Sequence, residues 1–280
     1  MRSISPGSIA IEANSMLERR INAAGRAATA AIPRVSLGGL RVAVLDIEET
    51  ANFMVRMAFP ERRIGRPLYL TSANGEVLAR CSTDPGVKRL FTSADLINAD
   101  GQPLVSASRY RTSMPLPERV ATTDLFHVVA RKAVEADLTF YMFGASEEEN
   151  ARAVENVRKA HPTLKIAGRS HGYLDGAALE AKVDEINALA PDVLWLALGV
   201  PREQGFIETY SARLSNVGMI KTSGGLFKFL SGSRKRAPQW MQDVGLEWAW
   251  RIAQEPRRLF WRYLTTNPRA LHLLWKKHHH

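Results

Sequence analysis

Residues 138–160 read LTFYMFGASEEENARAVENVRKA. Leu138–Phe143 is an apolar, aromatic-rich run of strand length. Ser146–Ala160 carries its apolar residues at helical spacing behind three glutamates, which suit the positive end of a helix dipole. A strand that turns at once into a helix is the unit of a parallel sheet, and the same unit recurs on both sides. Upstream, Arg41–Leu45 reads as a β-rich run, Glu48–Ala58 as a helix, Leu68–Thr71 as a strand and Gly75–Cys81 as a helix. Asp95–Ala99 is then a strand, and Thr123–Ala136 a helix capped by Thr122 or Thr123. Downstream come strand Leu164–Ala167, helix Ala177–Ala190, strand Val193–Leu198, helix Glu203–Leu214 and strand Val217–Thr222. The alternation predicts an α/β protein: a mainly parallel, Rossmann-like sheet flanked by helices.

The alternation stops after Ser223, and from Pro238 the pattern is helical only. Four segments are expected: a variable leader over 1–38, an α/β catalytic domain over 39–232, a helical appendage over 233–277, and a purification-tag remnant over 278–280. The single Cys81 excludes an internal disulfide framework and fits a reducing compartment. No apolar run reaches the roughly 20 residues needed to span a bilayer. A cytoplasmic protein is expected.

The net charge of +10 is concentrated at one end. Arg234–Lys277 holds ten Lys or Arg against three acids, together with Trp240, Trp248, Trp250, Trp261 and Trp275. Trp240, Val244, Trp248 and Ile252 recur every fourth residue as one apolar stripe, and Glu255-Pro256 opens a further helix. Cations interleaved with tryptophans suit anionic headgroups over hydrocarbon, or a phosphate-rich ligand. A nucleic-acid-binding module is the alternative, with steeply salt-dependent binding as its mark.

In a parallel sheet, ligands bind beyond the C-terminal ends of the strands. Five polar segments fall there and should share one rim: Thr71-Ser-Ala-Asn74, Asn98-Ala-Asp100-Gly101, Gly144-Ala-Ser146, Gly199-Val-Pro-Arg-Glu-Gln204 and Ser223-Gly-Gly225. Asp100 is the strongest catalytic candidate, because a carboxylate at a strand end can take a proton from an incoming hydroxyl. Gly101 would allow a sharp turn behind it; an Asx-turn is the plain reading. Gly144 and Gly224-Gly225 can bring backbone N–H groups near phosphate oxygens, with Gly224-Gly225 the better placed. His171-Gly-Tyr173 with Asp175 forms another polar cluster. No Gly-x-Gly-x-x-Gly, P-loop, metal-ligand spacing or Gly-x-Ser-x-Gly elbow occurs, which counts against a dinucleotide oxidoreductase, an NTPase, a metal site and a serine hydrolase.

Read in order, these motifs resemble the WecG/TagA/CpsF glycosyltransferases, glycosyltransferase family 26. The resemblance runs from about Val42 to Leu264. It takes in Thr71-Ser-Ala-Asn74, Ala99-Asp-Gly101, Arg119-Val120, Asp124-Leu125, Phe143-Gly144, His171-Gly-Tyr173 and Gly199-Val-Pro-Arg202. It continues through Gly224-Gly225, Phe229-Leu-Ser-Gly232, Arg236-Ala-Pro238, Leu246-Glu-Trp248, Arg251 and Glu255-Pro-Arg-Arg-Leu259 to Arg262-Tyr263.

The resemblance implies inverting transfer of a hexose, glucose-type or N-acetylmannosamine-type, from a UDP-sugar to a polyprenyl-diphosphate-linked saccharide in exopolysaccharide or cell-surface polysaccharide assembly. It implies no metal requirement and a peripheral place on the inner face of the cell membrane. By the same resemblance Asp100 is the general base, with Ser72, Asn74 and Arg119 beside it. Gly144, His171, Tyr173, Pro201, Arg202, Glu203, Gln204, Gly224, Gly225, Arg236, Arg251, Arg258 and Arg262 are implied for substrate, and Trp240, Trp248 and Trp261 for membrane. Three departures fall near the implied donor pocket: the exchanged order Glu203-Gln204, Lys228 where an Asp is frequent, and Thr122 for a frequent Gly.

Overall fold

The computed structural model describes residues 27–59, 61 and 65–275, apart from the side chains of Asp243 and Arg258. Most of the expected leader and the whole tag remnant lie outside the described residues. Two short strands come first, β1 (Arg34–Leu37) and β2 (Leu40–Ala43), paired antiparallel. Gly38 and Gly39, at φ +56° and +83°, supply the two positive dihedrals that such a tight hairpin turn requires. Val35, Leu37, Leu40 and Val42 are buried. Two differences from the sequence reading follow. The hairpin begins inside the stretch read as leader, and β2 is a hairpin strand rather than the first strand of the parallel sheet.

The main sheet has six strands: β3 (Leu68–Ala73), β4 (Leu96–Ala99), β5 (Thr139–Gly144), β6 (Lys165–Ser170), β7 (Val193–Ala197) and β8 (Met219–Thr222). Their order is β4-β3-β8-β7-β5-β6, and every pairing is parallel. β7 is buried throughout and sorts its side chains by the period of two. Val193, Trp195 and Ala197 join one cluster, with α1 (Ile47–Ala58), α5 (Thr122–Glu135) and α6 (Glu147–Ala160). Leu194 and Leu196 join the opposite cluster, with α7 (Gly176–Leu189) and α8 (Arg202–Tyr210). Each such fully buried side chain contributes about 1.5–3 kcal/mol.

Local signals start these helices. Asp46 and Glu49 form a reciprocal capping box on α1. Asn74 caps α2 (Gly75–Thr83), and Ser146 caps α6. Two helices were not anticipated: α3 (Pro85–Thr92), begun by Asp84 with Pro85, and α4 (Gln102–Arg111), which no side chain caps. A third, α9 (Leu226–Leu230), is a single short turn whose Leu226 and Phe227 are buried.

The appendage comprises α10 (Gln239–Asp243), α11 (Glu247–Gln254) and α12 (Pro256–Trp275). The expected single stripe from Trp240 to Ile252 is therefore broken: Gly245, at φ +75°, turns the chain between α10 and α11. α12 runs through Pro268 and buries Leu259, Tyr263, Ala270 and Leu274 at helical spacing. Ala270 comes so close to α2 that a Cβ on Gly75 would stand 3.2 Å from its own. Among the described residues, no helix is long and apolar enough to cross a membrane.

Candidate active site

Because the six strands are parallel, their C-terminal ends share one edge, and the five polar segments lie along it as expected. His171-Gly-Tyr173, after β6, joins them. Some of their residues lie inside the strands rather than beyond them: Thr71 to Ala73 in β3, Asn98 and Ala99 in β4, and Gly144 at the end of β5. β5 leads to α6 on one face of the sheet, whereas β7 leads to α8 on the other. Adjacent strands that part in this way open a crevice at their C-terminal ends.

Asp100 follows β4 on that rim. Its Oδ2 accepts from the Thr122 hydroxyl at 3.1 Å and from the Thr122 N–H at 3.4 Å. Burial raises the carboxyl's pKa above the usual range, while Arg119 and Lys221 pull it back and Glu247 pushes it further up. Gly101 is not a left-handed turn: at φ −170° it is extended backbone that any residue adopts.

Ser72, one strand away, takes a 2.9 Å hydrogen bond from Lys221 Nζ and stands 3.5 Å from Thr122 Oγ1. Asn74 spends its side-chain oxygen on the α2 cap, accepting from Val77 N–H at 3.0 Å. The side-chain amide is left as its donor group. Asp100, Ser72 and Thr122 are one hydrogen-bonded group, and Arg119 acts on it through charge.

The glycine loops differ from the expectation. Gly144, at φ +141°, leaves no room for a Cβ, which would meet Ala197 O at 2.2 Å. Its small size serves the approach of β5 to β7. The Gly224 N–H donates to Glu203 Oε2 at 3.0 Å, and the Gly199 N–H to the same atom at 3.3 Å. Both amides are thus held by a protein carboxylate in this structure. Glu203 and Gln204 are both buried, and Gln204 Nε2 donates to Glu203 Oε1 at 3.3 Å. Burial pushes the Glu203 carboxyl up in pKa against the pull of the Gly224 amide, Lys221 and the Gly199 amide. At Gly225 a Cβ would lie 3.4 Å from Arg234 Nη1, an ordinary contact.

Toward β6 the rim is open. Tyr173 is 70% exposed, and its N–H donates to His171 Nδ1. The Val200–Pro201 peptide is cis, and Arg202 Nη2 reaches Gly172 O at 3.4 Å.

The appendage closes over the Asp100 end. Arg119 donates to Glu247 Oε2 at 2.6 Å and to Gln242 Oε1 at 2.9 Å. Arg236 pairs with Asp124 and also donates to Gln242 Oε1. Gln242 thus joins Arg119, which precedes α5, to Arg236, which precedes α10. Arg262 pairs with Glu76 on the first turn of α2 at 3.2 Å. Arg251 lies on α11, half-buried and with no partner for its Nε. The Arg258 side chain lies outside the described residues. On the outer surface Trp240, Trp248 and Trp261 are exposed by 62%, 40% and 69%, beside exposed Val244, Phe260 and Leu264.

Residues 35–280 match the model of the glycosyl transferase WecG/TagA/CpsF family. The chain belongs to that family. Among relatives, the N-acetylglucosaminyldiphosphoundecaprenol N-acetyl-beta-D-mannosaminyltransferase of Bacillus spizizenii is 32% identical over 72% of this chain and 76% of its own length. The Bacillus subtilis protein of the same name is 30% identical over 75% of this chain and 78% of its own. One from Staphylococcus aureus is 27% identical over 69% and 74%. This WecG/TagA/CpsF protein is accordingly a glycosyltransferase.

Two participants escaped the sequence reading of this WecG/TagA/CpsF chain. Lys221 is wholly buried in β8, and its signal was visible: a lone charge in the apolar run Met219-Ile-Lys-Thr222. Gln242 gave no signal, since nothing in its neighbourhood distinguishes it from a surface glutamine.

Proposed function

We propose that the protein catalyses inverting transfer of an N-acetylmannosamine-type hexose from a UDP-sugar to a polyprenyl-diphosphate-linked saccharide at an anionic membrane surface. The observation that carries this reading is Asp100, a carboxyl on the rim with one oxygen engaged by Thr122 and with Arg119 and Lys221 as cationic neighbours. The sugar type and acceptor class are taken from the names of the relatives. The crevice between β5 and β7 is assigned to the donor nucleotide.

In the transfer, Asp100 takes the proton of the acceptor hydroxyl as that oxygen attacks the anomeric carbon from the face opposite UDP. The bond from that carbon to the diphosphate oxygen breaks, and UDP departs with the electron pair. A base of this kind is worth about 10²–10⁴-fold. Charge that grows on the leaving diphosphate is met by arginine guanidinium groups, which suit phosphate oxygens bidentately. Arg119 and Arg236 are assigned that role. The exposed Trp240, Trp248 and Trp261 seat the appendage on the headgroup layer, which sets the lipid-linked acceptor beside Asp100.

The test is Asp100→Asn, assayed with UDP-N-acetylmannosamine and UDP-glucose against a vesicle-borne polyprenyl-diphosphate saccharide. Transfer should fall by about 10²–10⁴-fold while calorimetric UDP binding persists. Wild-type turnover in the variant would remove Asp100 as base, and thermal silence toward every UDP compound would remove the donor assignment.

A further inference from the structure

Lys221 lies at the centre of the sheet with no exposed surface. A buried ammonium is costly unless its charge and its donors are matched. Nζ makes two hydrogen bonds, one to Ser72 Oγ and one to Thr222 O, both at 2.9 Å. Its charge faces two carboxyls, Asp100 and Glu203. Neither carboxyl touches it, so the contact it makes with the site is the one to Ser72.

That contact has a direction. An ammonium only donates, so Ser72 Oγ must accept from Lys221. The Ser72 proton is then turned away, toward Thr122 Oγ1 at 3.5 Å. The Thr122 proton is turned in its turn toward Asp100 Oδ2 at 3.1 Å. The Thr122 backbone N–H points at the same oxygen. A fixed donor at one end, Lys221, and a carboxylate acceptor at the other together set the polarity of the chain, and both Thr122 donors converge on Oδ2, leaving Oδ1 for the incoming hydroxyl.

We propose that Lys221 is a positioning residue for the transfer: through Ser72 and Thr122 it orients the Asp100 carboxylate and keeps one of its oxygens open as the base. This rests on Asp100 being the base. Asp100 is faced by Arg119 from its own side of the site, by Lys221 from β8 and by Glu247 from α11. The two cations favour its ionised form and Glu247 opposes it. Burial holds the Lys221 ammonium down to about 8, with Asp100 and Glu203 working against that fall. Above that pH the donor that fixes the chain becomes a neutral amine, which can accept as well as donate, and the polarity is lost.

The experiment is a pH profile of kcat/KM for wild type, Lys221→Met, Thr122→Val and Asp100→Asn. In Lys221→Met the acid limb should move up by about one pH unit, a roughly tenfold loss below the limb, with activity regained as pH rises. The alkaline limb near 8 should vanish in that variant. Thr122→Val removes the hydroxyl that reaches Asp100 and cuts the chain from Lys221, so its acid limb should also rise and its alkaline limb should fade as in Lys221→Met. If Lys221→Met fails to fold, as read by thermal unfolding, Thr122→Val decides: an acid limb unchanged from wild type overturns the proposal. A uniform loss in Lys221→Met with both limbs in place also overturns it. An inert Asp100→Asn beside variants with wild-type limbs leaves the base reading standing and removes only the role of Lys221. An active Asp100→Asn removes the base reading itself.

Discussion

Arg119 and Glu247 stand 128 residues apart in the chain, and Nη1 of one meets Oε2 of the other at 2.6 Å. Arg119 belongs to the loop before α5, and Glu247 opens α11 of the appendage. Both side chains are mostly buried, at 14% and 24% exposed. A pair so enclosed is screened less than a surface pair. The appendage therefore sets charge at the Asp100 site as well as covering it. The arginine assigned to the leaving diphosphate is engaged by a carboxylate in this structure.

Glu247→Gln tests that coupling. Glu247 pushes the Asp100 carboxyl up in pKa, while Arg119 pulls it down. A neutral Gln removes the push and frees the pull, so the folded pKa of Asp100 falls. The base is then ionised at lower pH, and the acid limb of kcat/KM should shift downward. A limb that stays in place or climbs would mean that Glu247 does not act on Asp100.

Gly144→Ala tests the approach of β5 to β7. Its φ of +141° and the 2.2 Å distance from a Cβ to Ala197 O leave no relaxed conformation. Strain and overpacking together should cost about 2–5 kcal/mol. Gly176→Ala is the control, since Gly176 has φ +47° and open space around it, and should cost only about 1–2 kcal/mol. Chemical denaturation of both variants measures the difference; equal losses would assign the Gly144 effect to its dihedral alone.

Trp240→Glu with Trp261→Glu tests the membrane surface. Both rings are exposed by more than 60%, so little packing is lost. Removing two interfacial aromatics and adding negative charge should weaken co-sedimentation with anionic vesicles by about tenfold or more, with UDP binding unchanged. Undiminished sedimentation would place the lipid contact elsewhere.

The sequence carried the fold because its determinants are local. Strand runs such as Leu138–Phe143 bury both faces, and caps such as Ser146 mark where helices begin. Parallel connection then forces every strand end to one edge, so Asp100 and Gly144 could be set on one rim without coordinates, whereas His171 could not. The ordered motifs also named the family. Short elements were harder to read: α3 and α4 are too brief for periodicity to separate from loop, and Gly245 breaks a stripe that repeats every fourth residue on both sides of it.

What the tertiary structure decided was partnership. Helical spacing could not show that Glu247 would find Arg119, or that Gln242 would join Arg119 to Arg236. Nor could it show that Glu203 would take the amides of Gly199 and Gly224. Lys221 was legible as an oddity in its strand, but its meaning depends on β8 lying beside β3, which brings Nζ to Ser72. Strand periodicity states which face a side chain takes. Only the order of strands in the sheet states what it meets there, because hydrogen bonds and charge act over a few ångströms between residues that the chain holds far apart.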